Sequence, residues 1–126
     1  MAGPSNAISM QHRRLAAGAH LLALAMLFLG LYTPYGIATI AAPLGSAMIA
    51  SRFGKASDYV RFHGLQAMLY QGLAFVLFVL LATADPFDKA FLMLVAAGGV
   101  LAAAICLAGK KFVYLFIGHI VEKSIR

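Results

Sequence analysis

The sequence predicts an all-α integral membrane protein with four transmembrane helices followed by a C-terminal interfacial amphipathic helix. Three observations carry that expectation. Hydrophobic residues make up 63% of the 126-residue chain and charged residues 11%, with a mean hydropathy of +0.89. A soluble domain carries about 25% charged residues, so this chain has too little charge to cover a water-facing surface. The apolar residues fall into runs of near-membrane-spanning length, broken by short stretches holding Pro, Gly or charge. Finally, four crossings place every Lys and Arg except Lys89 on one side.

Residues 1–14 read as a flexible tail, with Gly, Pro, Ser and Asn early and the basic pair Arg13 and Arg14 at its end. The first apolar run, Leu15 to Tyr32, is at the short end of what spans a bilayer. A basic flank before an apolar core also describes a signal peptide, but no small-residue cleavage site with a polar flank follows, and more apolar runs do. Gly30 to Gly36 then predicts a tight hairpin. Pro34 suits the first turn of a new helix, and Tyr32 and Tyr35 suit the headgroup layer.

The second run, Tyr35 to Ala50, contains Pro43, which predicts a kink, with Ala41 and Gly45 offering a close-packing face. A re-entrant segment is its alternative reading. Ser51 to Arg61 forms a basic loop with Arg52, Lys55 and Arg61. The third run, Phe62 to Thr83, is followed by a turn at Ala84–Lys89 containing Asp85, Pro86 and Asp88. The fourth run, Ala90 to Ala108, is rich in small residues (Ala96, Ala97, Gly98, Gly99) that suit close helix contact. The transmembrane domain therefore covers residues 15–109.

Residues 110–126 are too short in apolar content to cross. At 100° per residue, Val113, Phe116, Ile117, Ile120, Val121 and Ile125 gather on one face, opposite His119, Glu122, Lys123 and Arg126. That pattern predicts a helix lying along the membrane surface, or else a disordered tail. Arg13, Arg14, Arg52, Lys55, Lys110 and Lys111 form a membrane-surface basic set. By the positive-inside rule, both termini face the cytoplasm, in a membrane such as the bacterial inner membrane.

A net charge of +6 would suggest nucleic acid in a soluble protein, but here it has a simpler cause in topology and anionic lipid headgroups. Cys106, the single cysteine, excludes an internal disulfide and shows no zinc-type spacing; it reads as a small packing residue. No catalytic motif is present: no HExxH, no Gly-rich phosphate loop and no carboxylate pair within an apolar run. The expectation is of no enzyme activity, no metal and no bound cofactor.

One constellation stands out. Tyr59 to Gln71 places Arg61, His63, Gln66 and Tyr70 at a membrane entrance, where polar groups are costly. His63, Gln66 and Tyr70 fall at i, i+3 and i+7 on one helical face, with Ala67 between them and Gln71 turned away. His20 lies at a similar depth in the first helix. These groups either bond between helices and fix the bundle, or line a shallow polar cavity that receives a protein segment or lipid headgroup. A third reading has His20 and His63 bracketing a haem iron or a chlorophyll magnesium.

The run Val60-Arg61-Phe62-His63, followed by Gln66-Ala67, resembles a signature of small four-helix membrane proteins. These include the twenty-kilodalton component of the Tic translocon of the chloroplast inner envelope and its bacterial relatives. His20, the short hairpin and Gly109-Lys110 agree with it, while the Tyr-Pro pair often found after Gly-Lys is replaced by Lys111-Phe112-Val113-Tyr114. The resemblance implies a non-enzymatic scaffold or protein-translocation component acting through helix contacts with other membrane subunits. The alternative is an accessory subunit of a respiratory or photosynthetic complex that touches haem or chlorophyll through His20 or His63.

Overall fold

The structure is a computed structural model and describes residues 7–81 and 87–125; the expected tail residues 1–6, the Ala84–Pro86 turn and Arg126 lie outside the described residues. It is all-helical over those residues: α1 (Met10–Tyr32), a 3-10 helix (Pro34–Ile40), α2 (Ala41–Phe53), α3 (Asp58–Leu81), α4 (Phe87–Leu107) and α5 (Ile117–Ile125). Three of these, α1, α3 and α4, are long and apolar enough to cross a membrane.

The sequence expectation of four spanning helices needs correction at the second run. That run is not one kinked helix but a 3-10 stretch passing into a 13-residue α-helix. Pro43 is the reason. It stands in the first turn of α2, where no i−4 hydrogen bond is lost, so the proline sets a helix start rather than a mid-helix bend. The buried face of α2 is Ala42, Pro43, Ser46 and Ala50, and Ala41 is exposed.

Helix starts lie earlier than hydropathy alone predicts, because caps rather than apolar residues open them. Ser9 accepts from His12 N at 3.2 Å, so α1 begins at Met10 and takes in Arg13 and Arg14. Ser57 accepts from Val60 N at 3.3 Å, and Asp58 occupies the first turn of α3, where the helix dipole favours a carboxylate. Arg61 is therefore helical, not part of a loop. At the same end of the bundle, α4 closes with Gly109 at φ +77°, Gly109 N bonding Cys106 O (2.9 Å) and Lys110 N bonding Ile105 O (3.2 Å). This is the paired closure that a left-handed glycine permits.

Contacts between helix ends give the direction of each element. The Arg13 guanidinium lies over Gly109, the Tyr59 hydroxyl reaches Lys110 O at 2.8 Å, and Arg61 lies against Gly54. The start of α1, the end of α2, the start of α3 and the end of α4 thus share one end of the bundle. Gly30, Phe78 and Leu92 meet near the other. The chain runs up, down, up and down, and the basic residues collect at the first end.

Small residues set the closest approaches. Ala16, Ala19 and Ala23 of α1 and Ala96, Gly99, Ala102 and Ala103 of α4 are buried. A methyl group on Gly99 would fall 2.5 Å from Ala23 Cβ and 2.6 Å from the His20 carbonyl oxygen. One on Gly64 would fall 2.8–3.1 Å from Ala50, so α2 and α3 also touch backbone to backbone. The outward faces are apolar: Leu73, Leu80, Leu94 and Leu101 are all exposed.

The C-terminal region departs from expectation. Only Ile117–Ile125 is helical, and residues 110–114 form no regular secondary structure. Of the predicted apolar face, Val121 is buried, while Val113, Phe116 and Ile120 are exposed. The break has a local cause. Phe116 takes φ +64°, and Ile117 N bonds Leu115 O at 2.7 Å, a tight turn that a helix cannot pass through.

Replacing Gly99 with Ala should cost about 1–3 kcal/mol, because the two nearest atoms, Ala23 Cβ and the His20 carbonyl oxygen, are fixed to the α1 backbone and cannot move aside. Gly72 has nothing within 4 Å of an added methyl, so Gly72→Ala should instead stabilise by about 0.5–1 kcal/mol. Thermal unfolding in detergent measures both; an equal loss at the two positions would contradict this packing.

Candidate functional site

The face predicted from the i, i+3, i+7 spacing exists. His63 and Gln66 are fully buried, as is Ala67, and Tyr70 is half-buried beside them. His20 joins them from α1, its Nε2 3.2 Å from His63 Nδ1. Arg61 does not: it is exposed at the bundle end. Arg14, Arg52, Lys55, Lys110 and Lys111 are exposed at that same end, and Arg13 is half-buried there.

What fills the site is the chain itself. The irregular segment 110–114 folds back across the end of the bundle. Gln66 donates from Nε2 to Phe112 O (2.9 Å) and accepts at Oε1 from Tyr114 N (3.0 Å). A segment outside helix and sheet has no regular partners for its backbone, so a side-chain amide facing it supplies the donor and acceptor it lacks. Tyr114 is buried and stacks on Tyr70, with centroids 4.1 Å apart and planes 8° apart. Its hydroxyl lies 3.1 Å from His20 Nδ1. Burial, with Tyr70 and Cys106 nearby, pushes the Tyr114 phenol well above its ordinary range, so it keeps its proton. Tyr70 in turn donates to Val95 O at 3.1 Å.

A shallow polar cavity was one expectation for these residues. Instead the cluster is closed over by Phe112 and Tyr114. A cleft of about 380 Å³ does lie at the same end, lined by Asp58, Tyr59, Phe62, Lys111, Glu122 and Ile125. Lys111 pairs with Glu122 across it and sits 4.4 Å above the Phe62 ring. The bracketing of a haem or chlorophyll by His20 and His63 meets a geometric obstacle. The two rings touch directly, edge on, with centroids 5.4 Å apart, so no macrocycle fits between them as they stand.

Two contacts were missed in the sequence. Tyr114 lies 94 residues from His20, and only the fold-back brings them together. Cys106, read as packing, has its Sγ 3.4 Å from His63 Nδ1. Its spacing from the histidines matches no local metal motif, since each of the three residues comes from a different helix. His20, His63 and Cys106 offer ligand atoms that all lie within 4.8 Å of one another, and they are the residues that could hold a metal ion. Gln71 faces away, as helical geometry predicts, and builds a second buried knot. Its Nε2 donates to Ala19 O (2.8 Å), and Ser46 Oγ lies 2.7 Å from Gln71 Oε1. Ser46 has one proton to donate. The Gln71 oxygen is its closer acceptor, since Ala19 O stands at 3.0 Å and already takes the Gln71 amide.

No family model, curated protein or solved structure matches this chain.

Gln66→Leu should cost about 2–4 kcal/mol, because it strands the Phe112 carbonyl and the Tyr114 amide together. Tyr114→Phe removes one hydroxyl and keeps the stacked ring, so its cost should be about 1 kcal/mol. Denaturation in mixed micelles ranks the two; a Tyr114→Phe loss equal to that of Gln66→Leu would contradict the assigned roles.

Proposed function

We propose that this chain is a non-enzymatic polytopic membrane protein, a scaffold or protein-translocation-related component that acts through helix contacts with other membrane subunits. In this reading the chain crosses four times. The 3-10 stretch rises about 2.0 Å per residue and α2 about 1.5 Å, so the pair reaches about 34 Å, enough for a hydrocarbon core of about 30 Å. The basic end faces the cytoplasm of a bacterial-type inner membrane, in contact with anionic lipid headgroups. Leu115, Phe116 and Ile120, exposed at that end, dip into the interface beside α5.

The observation that carries the scaffold reading is the shallow groove between α3 and α4. It holds about 220 Å³ and is lined chiefly by Leu73, Leu77, Phe91, Leu94 and Tyr70. It opens on the outward, apolar side, where a partner helix can seat its side chains. The buried polar groups, His63 Nε2 excepted, are by contrast taken up in bonds within the chain. In this reading the Arg61-Phe62-His63…Gln66-Ala67 run, which resembles the Tic-like signature, fastens the C-terminal segment and leaves recognition to the apolar groove. The direct His20–His63 contact weighs against a pigment-binding accessory subunit.

Two measurements test this. A photo-crosslinking side chain at Leu94 should yield adducts with a second membrane protein; adducts with lipid alone would contradict the scaffold reading. For topology, cysteines placed at Ile37 and at Lys55 should label from opposite sides of the membrane. Labelling of both from one side would leave three crossings.

A further inference from the structure

The geometry points to His20, His63 and Cys106 as a buried two-nitrogen, one-sulfur site for a soft monovalent metal ion, copper(I) by its chemistry. The three side chains come from α1, α3 and α4 and are fully buried. His63 Nδ1 lies 3.2 Å from His20 Nε2 and 3.4 Å from Cys106 Sγ. Metal–nitrogen bonds of about 2.0–2.1 Å and metal–sulfur bonds of about 2.3 Å set ligand edges of about 3.3–3.8 Å in trigonal or tetrahedral geometry. These two edges need to open by only a few tenths of an ångström, and the third, between the His20 and Cys106 ligand atoms, lies within 4.8 Å.

Hydrogen bonding explains the arrangement poorly. His63 Nδ1 can make one in-plane bond, yet it faces both His20 Nε2 and Cys106 Sγ. The other nitrogen of the same ring, Nε2, is buried with no hydrogen-bond partner among the described residues. A fold that needed only to satisfy His63 would divide these partners between its two nitrogens. Three donor atoms converging on one point is instead what a cation requires. The outer contacts agree. With the ion on His20 Nε2, the His20 proton sits on Nδ1 and donates to the Tyr114 hydroxyl at 3.1 Å, the orienting bond that metal-bound histidines make. With the ion on His63 Nδ1, the remaining proton sits on Nε2 of a ring packed edge-to-face with Tyr59 and Phe62. An N–H can meet an aromatic face in that geometry.

Charge selects the ion. Binding exchanges the Cys106 thiol proton for the metal: the S–H bond breaks, the metal–sulfur bond forms, and the proton leaves to solvent. A monovalent cation leaves the charge of the buried site unchanged, whereas a divalent one adds a full charge to an apolar interior. Thiolate and imidazole are also the ligand types that suit copper(I). Tyr59 and Phe62 form part of the open cleft at the basic end and also touch His63, so the cleft, with Asp58 and Glu122 on its walls, is the entry path. This assignment is independent of the scaffold reading, since a chain without partners would still hold the ion.

The test is an anaerobic copper(I) titration of the full chain in detergent against a chromophoric copper(I) chelator. One ion per chain is expected, with Cys106→Ser weakening binding by at least about 10–100-fold, the loss seen for removing mere outer-shell partners. Equal affinity of the two proteins would overturn the assignment, as would displacement of copper(I) by equimolar zinc(II). Should Cys106→Ser fail to fold, X-ray absorption of the loaded wild-type chain decides alone. One sulfur and two nitrogens around copper are expected, and a shell without sulfur overturns the site.

Discussion

Gln66 makes the two hydrogen bonds on which the closed end of this bundle depends. In an apolar setting, backbone that is neither helix nor closed sheet is tolerated only where protein groups satisfy it. The irregular segment 110–114 is such backbone, and Gln66 serves its Phe112 carbonyl and Tyr114 amide at once. From that anchor the rest of the site follows. Tyr114 is held against Tyr70 and His20, and Gly118 of α5 is brought beside Gln66 Oε1. One glutamine thereby ties the last part of the chain to its first and third helices.

This anchoring works because small residues have already brought the helices close. Gly99 against Ala23 and the His20 carbonyl lets α1 and α4 touch, and Gly64 does the same for α3 against Ala50 of α2. His20, His63 and Cys106 then arrive at one point from three helices. The Gln71–Ser46–Ala19 knot fastens α3 and α2 to α1. Polar interactions between helices in an apolar medium average well under about 2 kcal/mol each. Their importance here lies in register: each fixes which residues of neighbouring helices stand level.

Much of the architecture was legible because hydropathy and helical spacing act locally. The three long helices and the His63–Gln66–Tyr70 face follow from apolar run length and from 100° per residue. Helix starts were placed late because Ser9 and Ser57 cap ahead of the apolar residues, and a cap signal is a single hydroxyl. Pro43 was read as a kink because its effect depends on whether it stands in the first turn or the middle of a helix, and only the 3-10 stretch before it decides that. The C-terminal segment was misread for a different reason. Its apolar period fits a helix, but the pairing of Gln66 with residues 46 and 48 positions later is a long-range contact with no local trace. Cys106 does pack in the core with Ala16, Ala17 and Ala103, and only its approach to His63 is another long-range contact with no local trace.

The central claim is that a side-chain amide, rather than helix formation or lipid, secures segment 110–114. Residue-resolved amide hydrogen exchange on the wild-type chain in micelles tests it directly. The account predicts slow exchange at Tyr114, whose amide is bonded to Gln66, between faster exchange at Val113 and Leu115, which are both exposed. Uniform rates across these three amides, whether all fast or all slow, would contradict it.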